Sequence, residues 1–116
     1  MTFNEIVLLN QFIMEHKAEK MPVKTAYKLT KLHDLITSDY NFFSEQCREI
    51  VQKYSNQDEN GQTIIPPDNV ADYNKEINDL LSTEVIVPDI TFSLNDFDGM
   101  DFTVEQLAPF MPLIIE

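Results

Sequence analysis

From Val23 to Tyr54 the chain runs without a glycine or proline, and through that stretch apolar residues step by three or four. Ala26, Leu29, Leu32, Ile36, Tyr40, Phe43, Cys47, Ile50 and Tyr54 trace one continuous seam. That spacing belongs to a helix packed along its length, in the manner of a coiled coil. Pro22 fits the first turn, where its missing N–H costs nothing. The spacing predicts a helix from Pro22 to about Tyr54, roughly 50 Å long at 1.5 Å per residue. Everything else in a short chain must then be arranged around this rod.

The residues before it predict a second, shorter helix at about 3–19. Thr2 and Glu5 form a capping box, each satisfying a backbone donor that the first turn leaves free. Ile6, Leu9 and Ile13 line one face, and Val7, Leu8 and Phe12 widen it. Lys17 and Lys20 oppose the negative helix end. The two helices form an antiparallel hairpin over residues 1–55. The first is too short to cover the second, so the distal stretch around Phe42, Phe43, Ile50 and Tyr54 needs another cover. The candidates are the C-terminal half of the chain or a second copy paired through the Pro22–Tyr54 helix.

Beyond Tyr54 the signals shorten. Ser55 to Gly61 is a polar break ending in an Asn60-Gly61 turn. Gln62–Ile65 reads as a short strand limited by Pro66 and Pro67. Asp68 or Asn69 can cap a third helix with Val70, Tyr73, Ile77, Leu80 and Leu81 on its apolar side. Glu84–Ser93 reads as extended, interrupted by Pro88. Asp98-Gly99 marks a turn, and Thr103 with Gln106 forms a second capping box opening a short C-terminal helix. Pro109 and Pro112 keep that helix short, and Leu113, Ile114 and Ile115 should be buried. The fold expected is mainly α (α+β): one domain over residues 1–116, a helical hairpin carrying an α+β half over 56–116.

Charge divides the chain at the same place. The first 55 residues hold seven acids and seven bases. The remainder holds thirteen acids and one base, Lys75, so the whole net charge of −12 lies there. Phosphates would be repelled by that half, which argues against direct binding to nucleic acid or to an anionic membrane. One cysteine, Cys47, allows no internal disulfide. With no basic leader before the apolar run Ile6–Leu9, a reducing, cytoplasmic setting is expected, in a cell or in an infected cell.

Few residues carry catalytic promise. Glycine occurs only at Gly61 and Gly99, so there is no phosphate-cradling loop. His16 and His33 lack an evident nucleophile and orienting group, and Cys47 falls on the apolar seam, where an inert thiol is the default. No enzymatic activity, cofactor or metal is expected. The nearest approach to a metal site aligns Gly99 with the loop glycine of an EF-hand. Asp96, Asp98 and Glu105 then take positions three, five and twelve, but position one is Leu94. A weak calcium module is therefore a minor reading. The lysines at the hairpin bend, Lys17, Lys20, Lys24, Lys28 and Lys31, are ordinary solubilising residues. Their sharper reading is a basic patch that meets the acidic half, in the same chain or in a neighbour.

The stretch that best suits recognition of a protein lies near the C-terminus. Asp89, Asp96, Asp98, Asp101 and Glu105 are interleaved with Phe97, Met100 and Phe102. Acids between large apolar groups fit a specific interface better than a solvated tail.

Several segments together resemble small uncharacterised proteins of bacteriophages and prophages. They are Met21-Pro22-Val23-Lys24-Thr25-Ala26-Tyr27-Lys28-Leu29, Gln52-Lys53-Tyr54, Asp58-Glu59-Asn60-Gly61, Tyr73-Asn74-Lys75-Glu76-Ile77 with Leu80-Leu81, and Thr103-Val104-Glu105-Gln106-Leu107. The resemblance implies a phage origin and transfers no catalytic or binding residue. The function expected is protein–protein interaction by a structural or accessory component, with a phage or host protein as partner. The rival is an acidic inhibitor that imitates nucleic acid and blocks a host DNA-binding enzyme.

Overall fold

A computed structural model describes residues 1–115. Helix α1 spans Phe3–His16 and helix α2 spans Val23–Tyr54. Strands β1 (Asn56–Gln57) and β2 (Thr63–Ile64) pair antiparallel, with Asn56 opposite Ile64. Helix α3 covers Val70–Leu81, and α4 is a single turn at Val104–Leu107. Three 3-10 turns, Pro67–Asn69, Leu94–Phe97 and Ala108–Leu113, complete the regular structure. The chain is thus mainly helical with a small two-stranded antiparallel sheet, as the sequence pattern predicts.

The long helix is the spine, and it is covered in relay. α1 lies antiparallel on about its first two-thirds: the Phe3 ring packs on Phe42 and Phe43, at centroid distances of 5.9 and 5.7 Å. α3 lies antiparallel on the second half. Asn69 Nδ2 donates to the Tyr54 carbonyl at 3.0 Å, and Lys53 meets Glu76 at 2.8 Å. The end of α3 then abuts the start of α1, where Phe3 N–H donates to the Thr83 carbonyl and Val85 N–H to the Met1 carbonyl. The terminal ammonium adds an ion pair with Glu84 at 3.0 Å. Two helices of 14 and 12 residues therefore cover one of 32, in a molecule 52 Å long. Of the two candidate covers for the distal stretch, the C-terminal half supplies one through α3, and Phe3 reaches Phe42 and Phe43.

Apart from Phe3, burial is confined to one end. The core gathers Ile6, Leu9, Phe12 and Ile13 of α1 with Leu29, Leu32 and Ile36 of α2. Phe92, Phe97, Phe110 and Leu113 from the C-terminal strap complete it. Phe12, Phe92, Phe97, Phe102 and Phe110 form one aromatic network, with centroid separations of 4.9–6.3 Å. Past Ile36 no residue of α2 is fully buried, nor is any residue of α3. The distal arm is a two-helix layer whose apolar residues are half-covered, because two helices alone leave both flanks of their seam open.

Several sequence expectations shift in detail. α1 ends at His16 rather than about residue 19, in a turn where Glu19 N–H bonds to the His16 carbonyl. Pro22 is the residue before α2 and not its first member. Neither Asp68 nor Asn69 caps α3 through a side chain; the Pro67–Asn69 turn leads into it. The extended stretch 84–93 makes only isolated bridges, Thr2 with Glu84 and Phe92 with Ile114, so it is a strap and not a sheet strand. Both capping boxes expected at Thr2/Glu5 and Thr103/Gln106 are present. Of the C-terminal apolar residues, Leu113 is buried, Ile114 is half-buried and Ile115 is exposed.

Candidate functional site: the C-terminal acidic–aromatic segment

The segment that combines acids with aromatics divides into an inner and an outer set. Ser93 and Asp96 make a capping box around the Leu94–Phe97 turn, and Ser93 N–H donates to Asp96 Oδ2 at 2.9 Å. That turn drives Asp96 and Phe97 inward. Asp96 is 3% exposed and Phe97 7%. Met100 and Phe102 are partly buried against the same core. Asp96 and Phe97 turn their side chains inward and hold the strap onto the helices, while Met100 and Phe102 are only partly covered. The physical reason is that Phe97, Phe92 and Phe110 provide the apolar area closing the α1–α2 core, which neither helix can bury alone.

A buried carboxylate must be compensated, and α2 supplies the compensation. Lys28 Nζ lies 2.6 Å from Asp96 Oδ2, 3.0 Å from the Thr91 carbonyl and 5.5 Å from the Phe92 ring centroid. Lys24 Nζ approaches Asp96 Oδ1 at 3.4 Å, and the buried Thr25 hydroxyl donates to the Asp96 carbonyl. Desolvation pushes the Asp96 pKa up. The Lys28 bond, the Ser93 N–H, the Lys28 charge and the approach of Lys24 outweigh it and hold the pKa at about 2. The basic bend and the acidic half thus meet within one chain at this point. The sequence marks the site only faintly: Ser93 and Asp96 share the spacing of a capping box, and Lys24 and Lys28 share one helix face.

The outer set is Asp89, Asp98, Asp101 and Glu105, all exposed. Between and beside them stand exposed apolar side chains, Leu94 at 54% and Val104 at 87%. Gly99, at φ +82°, permits the turn that carries Asp98 and Asp101 outward. The EF-hand alignment fails on geometry as well as on Leu94, because the Asp96 carboxylate already serves two ammonium groups. Among the described residues no group of three or more His, Cys, Asp or Glu side chains converges as metal ligands would.

The remaining candidates are separate. His16 packs its ring on Phe12 at 4.2 Å, with Nδ1 against the Glu19 carboxylate. Cys47 is half-buried on α2, and burial pushes its thiol pKa up, away from the reactive thiolate. Among the described residues no helix is long and apolar enough to cross a membrane. No family model matches the chain, and no curated protein or solved structure matches it either.

Proposed function

We propose that the chain is a non-catalytic protein-interaction component, of the accessory or structural kind expected of a bacteriophage, acting in the host cytoplasm or in a virion. One observation carries this reading. The strap exposes Asp98, Asp101 and Glu105 in the same short stretch as the exposed apolar residues Leu94 and Val104, while Phe97 and Phe110 of that stretch are buried in the core. The fit is to a partner surface with basic residues around an apolar depression.

The test is capture with the whole chain from a host lysate, followed by binding kinetics with the purified partner. Asp98→Asn, Asp101→Asn and Glu105→Gln together should slow association and flatten its salt dependence. Leu94→Ala with Val104→Ala should instead speed dissociation. A partner indifferent to both sets would refute this stretch as the contact. An inhibitor imitating nucleic acid would lose nearly all binding with the charge variant and little with the apolar one.

A further inference from the structure

An asparagine side chain reacts most readily with its own backbone when glycine follows it, because no Cβ on the next residue hinders the approach. The chain holds nine asparagines, and only Asn60 precedes a glycine. Five of the others lie inside helices: Asn4 and Asn10 in α1, Asn41 in α2, Asn74 and Asn78 in α3. Asn60 stands instead at the tip of the β1–β2 hairpin. Asp58 to Gly61 form a turn closed by Gly61 N–H on the Asp58 carbonyl at 3.0 Å, with Gly61 at φ +79°. Asn60 and Gly61 are exposed, as are all four residues of the two strands. The Asn60 backbone N–H is tied to Asp58 Oδ1, while its carboxamide is held by no hydrogen bond among the described residues.

We infer that Asn60 is a site of spontaneous deamidation through a succinimide, and that Asp58 sets its rate. The Gly61 backbone nitrogen gives its proton to water or hydroxide and attacks Asn60 Cγ. The new N–C bond closes the succinimide ring, and the carboxamide nitrogen leaves with a proton as ammonia. Water then opens the ring at either carbonyl, which leaves aspartate or isoaspartate at this position. Nothing is oxidised or reduced: water is consumed and ammonia is released.

Asp58 restrains this reaction while the hairpin is closed. Its Oδ1 accepts from the N–H groups of Asn60 and Gln62, each at 2.9 Å, and its carbonyl holds the proton that Gly61 must lose. The reaction therefore proceeds from a locally opened turn. Opening is easy here, because each strand has two residues and neither is buried. Isoaspartate cannot restore the turn, since its backbone is longer by a methylene. Either product adds a carboxylate beside Asp58 and Glu59, in the half that already carries the whole net charge. The site is distinct from the acidic stretch of the strap and stands or falls without it.

The experiment incubates the folded chain for several weeks in warm, mildly alkaline buffer and maps its peptides by mass spectrometry. The peptide that holds Asn60 should gain the mass of an amide-to-acid change before any other asparagine does. Part of the product should accept a methyl group from an isoaspartyl methyltransferase. Asp98-Gly99 can also form isoaspartate, but without a change of mass, so the mass gain separates the two sites. Asp58→Ala, with its helices confirmed by circular dichroism, should deamidate about fivefold faster, because the bonds that hold the turn shut are lost. The unsubstituted chain should likewise react faster in urea, where the turn is absent, than when folded. An intact Asn60 in the folded chain, or another asparagine reacting first, would overturn the site. Rates unchanged by Asp58→Ala or by urea would overturn the restraint by Asp58.

Discussion

Lys28 Nζ reaches Asp96 Oδ2 at 2.6 Å across 68 residues of sequence, and this contact is where the basic bend and the acidic half are joined. The Asp96 side chain is 1% exposed and that of Lys28 is 24% exposed, so the pair lies at the border of the core. Removing the carboxylate leaves an ammonium that can still turn toward water, whereas removing the ammonium strands a buried anion. Lys28→Met should therefore cost more than Asp96→Asn. We expect about 3 kcal/mol for the lysine substitution, the lower end for breaking a buried pair. Lys24→Ala should cost under ~1 kcal/mol, because Lys24 is 74% exposed. Urea unfolding of the three variants, completed as a double-mutant cycle for Lys28 and Asp96, checks the order.

The depressed Asp96 pKa sets an acid limit. Its ordinary value is 3.8 and its folded value about 2. A carboxyl more acidic in the folded state contributes stability that is complete above the unfolded pKa and is lost as pH falls through the folded one. Between about pH 4 and pH 2 the chain should lose about 2 kcal/mol from this group. Thermal melts should show that loss in the native chain, and a correspondingly shallower decline in Asp96→Asn.

Phe97 tests the division between the inner and outer sets. As a recognition anchor it would affect binding and leave stability unchanged. Stacked on Phe92 at 5.5 Å and edge-on to Phe110 at 5.2 Å, it is a core residue, and Phe97→Ala should cost about 3–5 kcal/mol. Val104→Ala, at a well-hydrated position on the edge, should change stability by less than ~0.5 kcal/mol. Paired denaturant curves separate the two.

Local stability should follow the gradient of burial. Amides of α1 and of α2 up to Ile36 sit over the core and should exchange with solvent near the rate set by global unfolding. Those of α3, which buries no residue fully, should exchange through local opening and lose protection first. Native-state hydrogen exchange resolved by residue would show this; uniform protection along α2 and α3 would contradict it in the isolated monomer.

The elements were legible in the sequence because their causes are local. The three-four seam from Ala26 to Tyr54, free of glycine and proline, specifies a helix whatever surrounds it. Thr2 with Glu5, and Thr103 with Gln106, fix helix starts because a hydroxyl and a carboxyl or amide satisfy backbone donors three residues away. The positive φ of Gly61 and Gly99 matches the two turns marked by Asn60-Gly61 and Asp98-Gly99. What the pattern could not fix was which apolar residues face inward along the C-terminal strap. Its acids and aromatics alternate without a helix or strand period, so no face is defined by spacing.

Tertiary structure decided the rest. Asp96 looks like its neighbours Asp98 and Asp101 in sequence. It is buried because Lys24, Thr25 and Lys28, about 70 residues earlier, stand under the turn it occupies. Phe97 became core, with Phe102 packed against it, because the α1–α2 seam leaves apolar area that the C-terminal strap covers. The sequence offered the C-terminal half as one of two covers for the distal part of α2; that α3 is this cover, meeting α1 where Phe3 N–H bonds to the Thr83 carbonyl, was decided by packing. The sequence determined by itself a long helix, its caps and turns, and the segregation of charge. Only the packed chain, where burial requires each charge to find its counterpart, determined which acids hold the fold together and which remain on the surface.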